Sequence, residues 1–508
     1  MNKLILNGKS LTLSDFVHIF DTPLEIELPP DAVTRINRGR ETIENIIRSD
    51  QVVYGVNTGF GKFSEVRIPN DNIDELQKNL VMSHATGVGQ PLSEDLVRAI
   101  YILKINSLAK GLSGVRLEVV QKLIDMYRAQ IIPVVPEKGS VGASGDLAPL
   151  AHLSLVLIGS GEAFYKGERL PGAEAMKQAK IKPIVLKAKE GLALLNGLQV
   201  STAIATKAFH CLCTLTRSAD IIGALSLEGL KGTPKAFDPR IQKARGMHGQ
   251  IMVGRRLTEL IGGSEIRKSH ENCPKVQDAY SLRCMPQVHG AVRDGMEFVR
   301  SILETEINSC TDNPLVFPDE GEVISGGNFH GQPISMVSDF MAMIATYLAN
   351  ISERRIEYML DPNTSEMAGF LTEEGGLNSG FMIAQVTAAS LASENKVLAH
   401  PASADSIPTS ANKEDFVSMA CHAARKALQV ANNTATILGI ELLCACQAID
   451  LKRPLKTSLP LEAVYEAVRS HIPHLTRDRI MYTEIDWITD FINQGNLVNI
   501  VKPWICDC

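Results

Sequence analysis

The chain has 508 residues, 45% of them hydrophobic, and a net charge of −6. That length buries one large core or several smaller ones and, as a prior, allows about three domains. Its Lys and Arg residues are scattered, with no long basic block, which sets aside nucleic acid and anionic membrane as partners.

Residues 1–30 read as short strands and turns, with Asn7-Gly8 as a turn between LIL and LTL. This amino-terminal run has neither a sustained apolar stretch nor a small-residue cleavage site. The apolar stretch 147–158 is interrupted by Pro149, His152 and Ser154, too short and too polar for a bilayer. A cytoplasmic protein is expected. From Asp31 onward helical patterns dominate. Leu76, Leu80 and His84 fall at i, i+4, i+8 and share one helix face. Residues 199–222 carry only helix-compatible residues between Gly197 and Gly223. Residues 288–310 look the same, with Gly290 and Gly295 as weak points. Residues 337–359 and 414–438 complete the set, the latter with Ser410 as its expected N-cap.

Helices of more than 20 residues exceed the usual mean of about 11–12 and need partners for their apolar faces. The expected fold class is mainly α. A smaller amino-terminal mixed region covers 1–200, and a long helical bundle with a helical carboxy-terminal region covers 201–508. Subunit association is expected to complete the bundle.

Ten cysteines are spread along the chain. Three pairs have C-x-C spacing: Cys211/Cys213, Cys444/Cys446 and Cys506/Cys508. Structural zinc usually wants two to four intervening residues. The first two pairs sit in apolar, helix-like runs as small core residues, and the tail pair is expected to be exposed and free. No metal is expected.

The Gly- and Pro-rich stretches are few, and they hold most of the chemistry-bearing residues. In 139–152, GSVGASGDLAPLAH, two readings of Ala143-Ser144-Gly145 stand side by side. One is a helix N-terminus capped by Ser144 or Asp146. The other is a tight turn in which the Gly145 nitrogen closes on the Ala143 carbonyl carbon; loss of water from Ser144 then leaves an exocyclic methylidene, an electrophile. Gly145 suits the second because it tolerates strained dihedrals. In 53–62, Gly59-Phe60-Gly61-Lys62 hints at a phosphate loop, but Val56 and Phe63 break a Walker motif, and Ser64 breaks a dinucleotide fingerprint. In 277–283, Tyr280 and Arg283 are three apart and one turn aims both at one ligand. Arg283 is either a carboxylate clamp or a surface ion-pair partner.

Several motifs occur together and in order: Tyr54-Gly55-Val56-Asn57-Thr58-Gly59-Phe60-Gly61, Ala143-Ser144-Gly145-Asp146, Leu195-Asn196-Gly197, Gln277-Asp278-Ala279-Tyr280-Ser281-Leu282-Arg283, Gly327-Asn328-Phe329-His330-Gly331, Leu377-Asn378-Ser379-Gly380-Phe381-Met382 and Ser406-Ile407-Pro408-Thr409-Ser410. In this set the chain resembles the aromatic amino acid ammonia-lyases along nearly its whole length. The resemblance implies a fumarase/aspartase-like helical superfold. It also implies a methylidene-imidazolone cofactor formed autocatalytically from Ala143, Ser144 and Gly145. By the same resemblance, Tyr54 or Tyr280 removes a β-proton, Arg283 anchors the substrate carboxylate, and Asn196 and Gln277 hydrogen-bond the substrate or the cofactor carbonyl. Phe329 packs beside the cofactor ring. A homotetramer with sites built from three subunits is implied as well.

Ser83-His84 and Glu414 resemble the histidine-specific members of that family, which eliminate ammonia from L-histidine to give trans-urocanate. An imidazole can hydrogen-bond a His and a carboxylate, whereas a phenyl ring leaves both unpaired. On the residues alone, His84 also reads as an ordinary helix-face histidine and Glu414 as a first-turn helix acid. The chain departs from those members at Lys413, Phe416, Gln332 and Leu198, which bears on specificity. Rival readings are a tyrosine- or phenylalanine-specific lyase or aminomutase and an inactive helical scaffold. A fumarase-type lyase is disfavoured because no Gly-Ser-Ser-x-Met-Pro loop is present. Against the scaffold stand Ser144, Tyr54, Tyr280, Arg283 and Glu414, all intact.

Overall fold

The computed structural model describes residues 3–49, 51–271 and 276–505. Cys506 and Cys508 lie outside them. The chain divides into two compact units: Met1–Lys207 with Arg300–Asp339 and Pro401–Arg425, and Ala208–Val299 with Phe340–His400 and Lys426–Cys508.

The first unit is mixed. Its amino terminus differs from the expected run of short strands and turns. Lys3–Ile5 pairs in parallel with Glu25–Glu27, and the LTL run enters a helix, Leu13–Asp21. The reason is a capping box: Thr12 accepts from the Asp15 backbone while Asp15 accepts from the Thr12 backbone. Asn7-Gly8 does turn the chain, its Asn7 Oδ1 accepting from the Lys9 and Ser10 backbone. Small sheets follow: Val88–Pro91 with Pro136–Lys138, the three-stranded Ile132–Pro133, Glu162–Tyr165 and Glu168–Pro171, and Leu315–Phe317 with Glu322–Ile324. Helix Glu94–Leu108 forms the centre of this unit, buried from Leu96 to Leu108. It therefore carries no amphipathic stripe, as a core helix should not.

The second unit is helical. Of the long helices, Gln199–Gly229 and Gln332–Leu360 run beyond their expected limits, Met285–Glu306 starts and ends earlier than expected, and Ala420–Asp450 starts later and ends later. Gly223, Gly290 and Gly295 interrupt nothing. At Gly290 the reason is packing: a Cβ there would lie 2.4 Å from the Gln250 nitrogen of helix His248–Ile261, so glycine permits the close approach. Two buried ionic networks tie the helices of this unit. Glu441 accepts from Ser226, Ser352 and both Nε and Nη2 of Arg355, and Asp220 accepts from His289 and Arg293. Gln332–Leu360 is long and apolar enough to cross a membrane, yet 72% of its most apolar window is buried inside the protein, as in a core helix.

The first two cysteine pairs lie in helices as their pattern implies, but only Cys444 and Cys446 are core residues; Cys211 and Cys213 are half-buried. Cys211 and Cys213 lie in Gln199–Gly229. Cys444 and Cys446 are buried in Ala420–Asp450, where burial pushes the Cys446 thiol up to about 12. Among the described residues no group of three His, Cys, Asp or Glu side chains is placed to hold a metal.

Candidate active site

The glycine-rich segment before helix Leu147–Leu157 forms a tight turn. Gly142, Ser144 and Gly145 all have positive φ, at 83°, 55° and 84°. The Gly145 N–H folds back on the Gly142 carbonyl at 3.4 Å. A Cβ on Gly145 would lie 2.3 Å from the Gly197 oxygen, so only glycine fits. The next amide, Asp146, donates to that same Gly197 oxygen at 2.7 Å. The Ala143-Ser144-Gly145 segment and the Leu195-Asn196-Gly197 motif, about 50 residues apart in sequence, are thereby locked together.

Asp146 does not cap the helix that follows it. Its fully buried carboxylate instead accepts from the Ser201 backbone at 2.7 Å and the Ser201 hydroxyl at 2.6 Å, in the first turn of Gln199–Gly229. Burial pushes its pKa up to about 6, against these bonds, which favour the charged form.

Ser144 opens into a cavity of about 280 Å³ within the first unit, lined also by Tyr54, Phe60, His84, Leu192, Asn196 and Glu414. Gly61, Lys62, Phe63, Leu80, Leu147, Leu195 and Ser410 complete the lining. Five of the residues expected at a site therefore meet at one cavity, although they span 360 positions of sequence between Tyr54 and Glu414.

Each polar group there has a defined state. Tyr54 packs edge-on against Phe60, ring centroids 6.4 Å apart. Burial raises its pKa, the nearby Glu414 adds to this, and a hydrogen bond with the Gly61 backbone opposes it. It is thus a neutral phenol, not a tyrosinate. His84 ends helix Ile73–His84, on the face expected for it. Its Nδ1 lies 2.8 Å from the Leu80 carbonyl, which can only accept, so Nδ1 carries the proton and Nε2 is left as an acceptor. Burial lowers its pKa and keeps the ring neutral.

Glu414 does not begin a helix. Ser410, Ala411 and Asn412 are all left-handed, Thr409 and Glu414 bridge to each other, and the helix starts only at Ala420. Ser410 is accordingly no N-cap. The Glu414 carboxylate accepts from Thr409 Oγ1 at 2.8 Å and Ser410 Oγ at 2.5 Å.

Other expected residues are not among those lining this cavity. Phe329 is half-buried in the loop before Gln332–Leu360. Gln277 is exposed and Tyr280 is 71% exposed, in the second unit. There the Arg283 guanidinium stacks on the Tyr280 ring at 4.4 Å from its centroid. The departures at 413 and 416 point outward: Lys413 is exposed, and Phe416 is exposed and stacks on His330. Gln332 donates to the Ser403 carbonyl, and Leu198 is buried.

Leu192 carries no signal in the sequence pattern, and Leu195 carries only its place in the Leu195-Asn196-Gly197 motif. Lys62 stands out in sequence only within the Gly59-Phe60-Gly61-Lys62 run that fails as a phosphate motif. Nothing in the pattern marked Lys104, Lys189 and Asp312, whose buried side chains surround Asn196.

Residues 11–470 match the family model of the aromatic amino acid lyases. The chain is 50% identical over 502 residues to the histidine ammonia-lyase of Caldanaerobacter subterraneus subsp. tengcongensis, covering 99% of each. It superposes on the crystal structure of histidine ammonia-lyase from Trypanosoma cruzi with a TM-score of 0.92 and 44% identity, over 99% of this chain and 96% of that one. Tyrosine aminomutase from Streptomyces globisporus gives 0.93 at 34% identity, over 100% and 99%. With the match running from residue 11 to 470 and half of all positions shared with a full-length relative, the chain belongs to the aromatic amino acid lyase family.

Proposed function

We propose that the chain is a carbon–nitrogen lyase of histidine, a histidine ammonia-lyase that releases ammonia from L-histidine and leaves trans-urocanate. The observation that carries this reading is the single cavity that holds Ser144 together with His84 and Glu414. His84 offers the acceptor Nε2 and Glu414 a carboxylate, so a ring bearing an N–H is matched and a phenyl ring is not. The high identity to histidine ammonia-lyases favours the same substrate over those of the aminomutases.

The Gly142–Gly145 turn suits a methylidene-imidazolone made from Ala143, Ser144 and Gly145, because it folds the Gly145 nitrogen back over the residues before it. When formed, that group supplies an electrophile for the substrate amine. The residues of the chain do the rest. Arg283 holds the carboxylate through its planar fork, with Gln277 beside it. Tyr280 takes the β-proton. Tyr54, a neutral phenol, serves as a hydrogen-bond donor and proton relay. Phe329 packs beside the cofactor. In a homotetramer, Gln277, Tyr280, Arg283 and Phe329 reach the cavity from neighbouring subunits; the exposure of Tyr280 in the single chain supports this. A cytoplasmic location belongs to the same reading.

The test is direct. L-Histidine is added to the purified protein and absorbance is followed in the urocanate band, with L-tyrosine and L-phenylalanine in parallel. Urocanate from histidine alone is expected. Turnover of tyrosine or phenylalanine without histidine activity would refute the assignment of His84 and Glu414.

A further inference from the structure

The side-chain amide of Asn196 has a determined orientation. Its Nδ2 donates to the Asn313 carbonyl at 2.6 Å and to Asp312 Oδ1 at 3.3 Å. Both partners can only accept, so turning the amide over would set oxygen against oxygen. Asp312 is itself fixed. Its Oδ2 accepts from Lys189 Nζ at 2.7 Å and its Oδ1 from the Asn313 backbone at 2.7 Å. Asp312 is 3% exposed and Lys189 is fully buried. A second buried lysine, Lys104, donates to the main-chain carbonyl of Asn196 at 2.7 Å. Backbone and amide nitrogen are thus both held. The one polar atom of the side chain left over is Oδ1, which is buried and has no partner. A buried acceptor without a donor is costly, and Asn196 lines the cavity that also holds Ser144.

We infer that Asp312 is a positioning residue that turns the Asn196 amide so that its Oδ1 accepts an N–H from the substrate's α-amino group. This rests on the reading of the cavity as an amino acid site. Of the groups near the reacting centre, a carboxylate or a carbonyl offers only acceptors, and neither satisfies Oδ1. An amine does, and donating one N–H to Asn196 still leaves its nitrogen lone pair free. Asn196 therefore reads the amine, not the carboxylate and not a cofactor oxygen. Lys189 pairs with Asp312 at 2.7 Å and holds it in place, since a buried carboxylate without a partner is costly.

The experiment is binding calorimetry on Ser144→Ala protein, which cannot turn over, with L-histidine and with imidazolepropionate, its analogue lacking the amine. Histidine is expected to bind at least about tenfold more tightly, one good hydrogen bond. Asn196→Ala in that background is expected to abolish the difference while leaving imidazolepropionate affinity within about twofold. Asp312→Asn, which frees the amide to turn, is expected to shrink the difference in the same direction. A merely structural role for Asp312 would weaken both ligands alike, and that result overturns the inference. So does equal binding of the two ligands by Ser144→Ala protein, a comparison that stands even where the Asn196 or Asp312 variants do not fold. Loss of histidine turnover in the wild-type protein would instead overturn the functional reading itself.

Discussion

Replacing Glu414 by Gln keeps the side-chain volume and removes the charge. In the structure the carboxylate is fixed by two hydroxyls, Thr409 Oγ1 and Ser410 Oγ, at 2.8 and 2.5 Å. An amide oxygen can keep those two contacts, so folding should survive. What is lost is a charged acceptor for the substrate ring. A hydrogen bond to a charged group contributes about 1.5–3 kcal/mol. At 1.4 kcal/mol per factor of ten, kcat/KM for histidine should fall by about 10- to 150-fold. The same change acts on its neighbours. Glu414 raises the pKa of both His84 and Tyr54, so its removal lowers both. Phenylalanine makes no use of the carboxylate, and any residual turnover of it should change little. The assay is initial-rate absorbance with histidine and phenylalanine over a range of concentrations. An unchanged kcat/KM for histidine, or an equal fall for both substrates, would refute the role assigned to Glu414.

Other predictions follow from the same geometry. Gly145→Ala places a Cβ 2.3 Å from the Gly197 oxygen at a φ of 84°, so the variant should lose the ultraviolet difference band of wild type minus Ser144→Ala, together with activity. Asp146 has a folded-state pKa near 6 against 3.8 unfolded, so the folded chain binds that proton more tightly. Its contribution is most favourable below pH 3.8 and is lost as pH rises to about 6, by about 3 kcal/mol. Denaturant titrations of wild type and Asp146→Asn from pH 4 to 7 should diverge over that window. In the second unit, Arg355→Met or Glu441→Leu alone breaks a fully buried pair and should cost about 3–5 kcal/mol. The double variant should recover much of that loss in thermal melts, because two buried charges leave together.

The motifs that identify the family were legible in the residues, because a backbone turn at Gly142–Gly145 or a stack of Tyr280 under Arg283 demands particular side chains at fixed short spacing. The long helices were legible too, since their apolar residues recur at helical intervals. Their limits were not: Gly223 and Gly290 look like breaks but serve close packing, and only a neighbouring helix reveals that. Glu414 looks like a helix residue in sequence, yet the left-handed run at 410–412 holds it in a loop. The protonation states were also hidden. Tyr54 is expected as a tyrosinate if it is a base, but burial and Glu414 keep it neutral, and neither influence exists until the chain folds. The polarity of the Asn196 amide has the same origin. It depends on Asp312 and Asn313, more than 110 residues away, and local sequence carries no information about which acceptors will meet a given donor. Residue order dictates which chemical groups are present and which short turns and helices carry them. The tertiary structure alone decided which groups share a cavity and in what charge state, because desolvation and long-range hydrogen bonds arise only on folding.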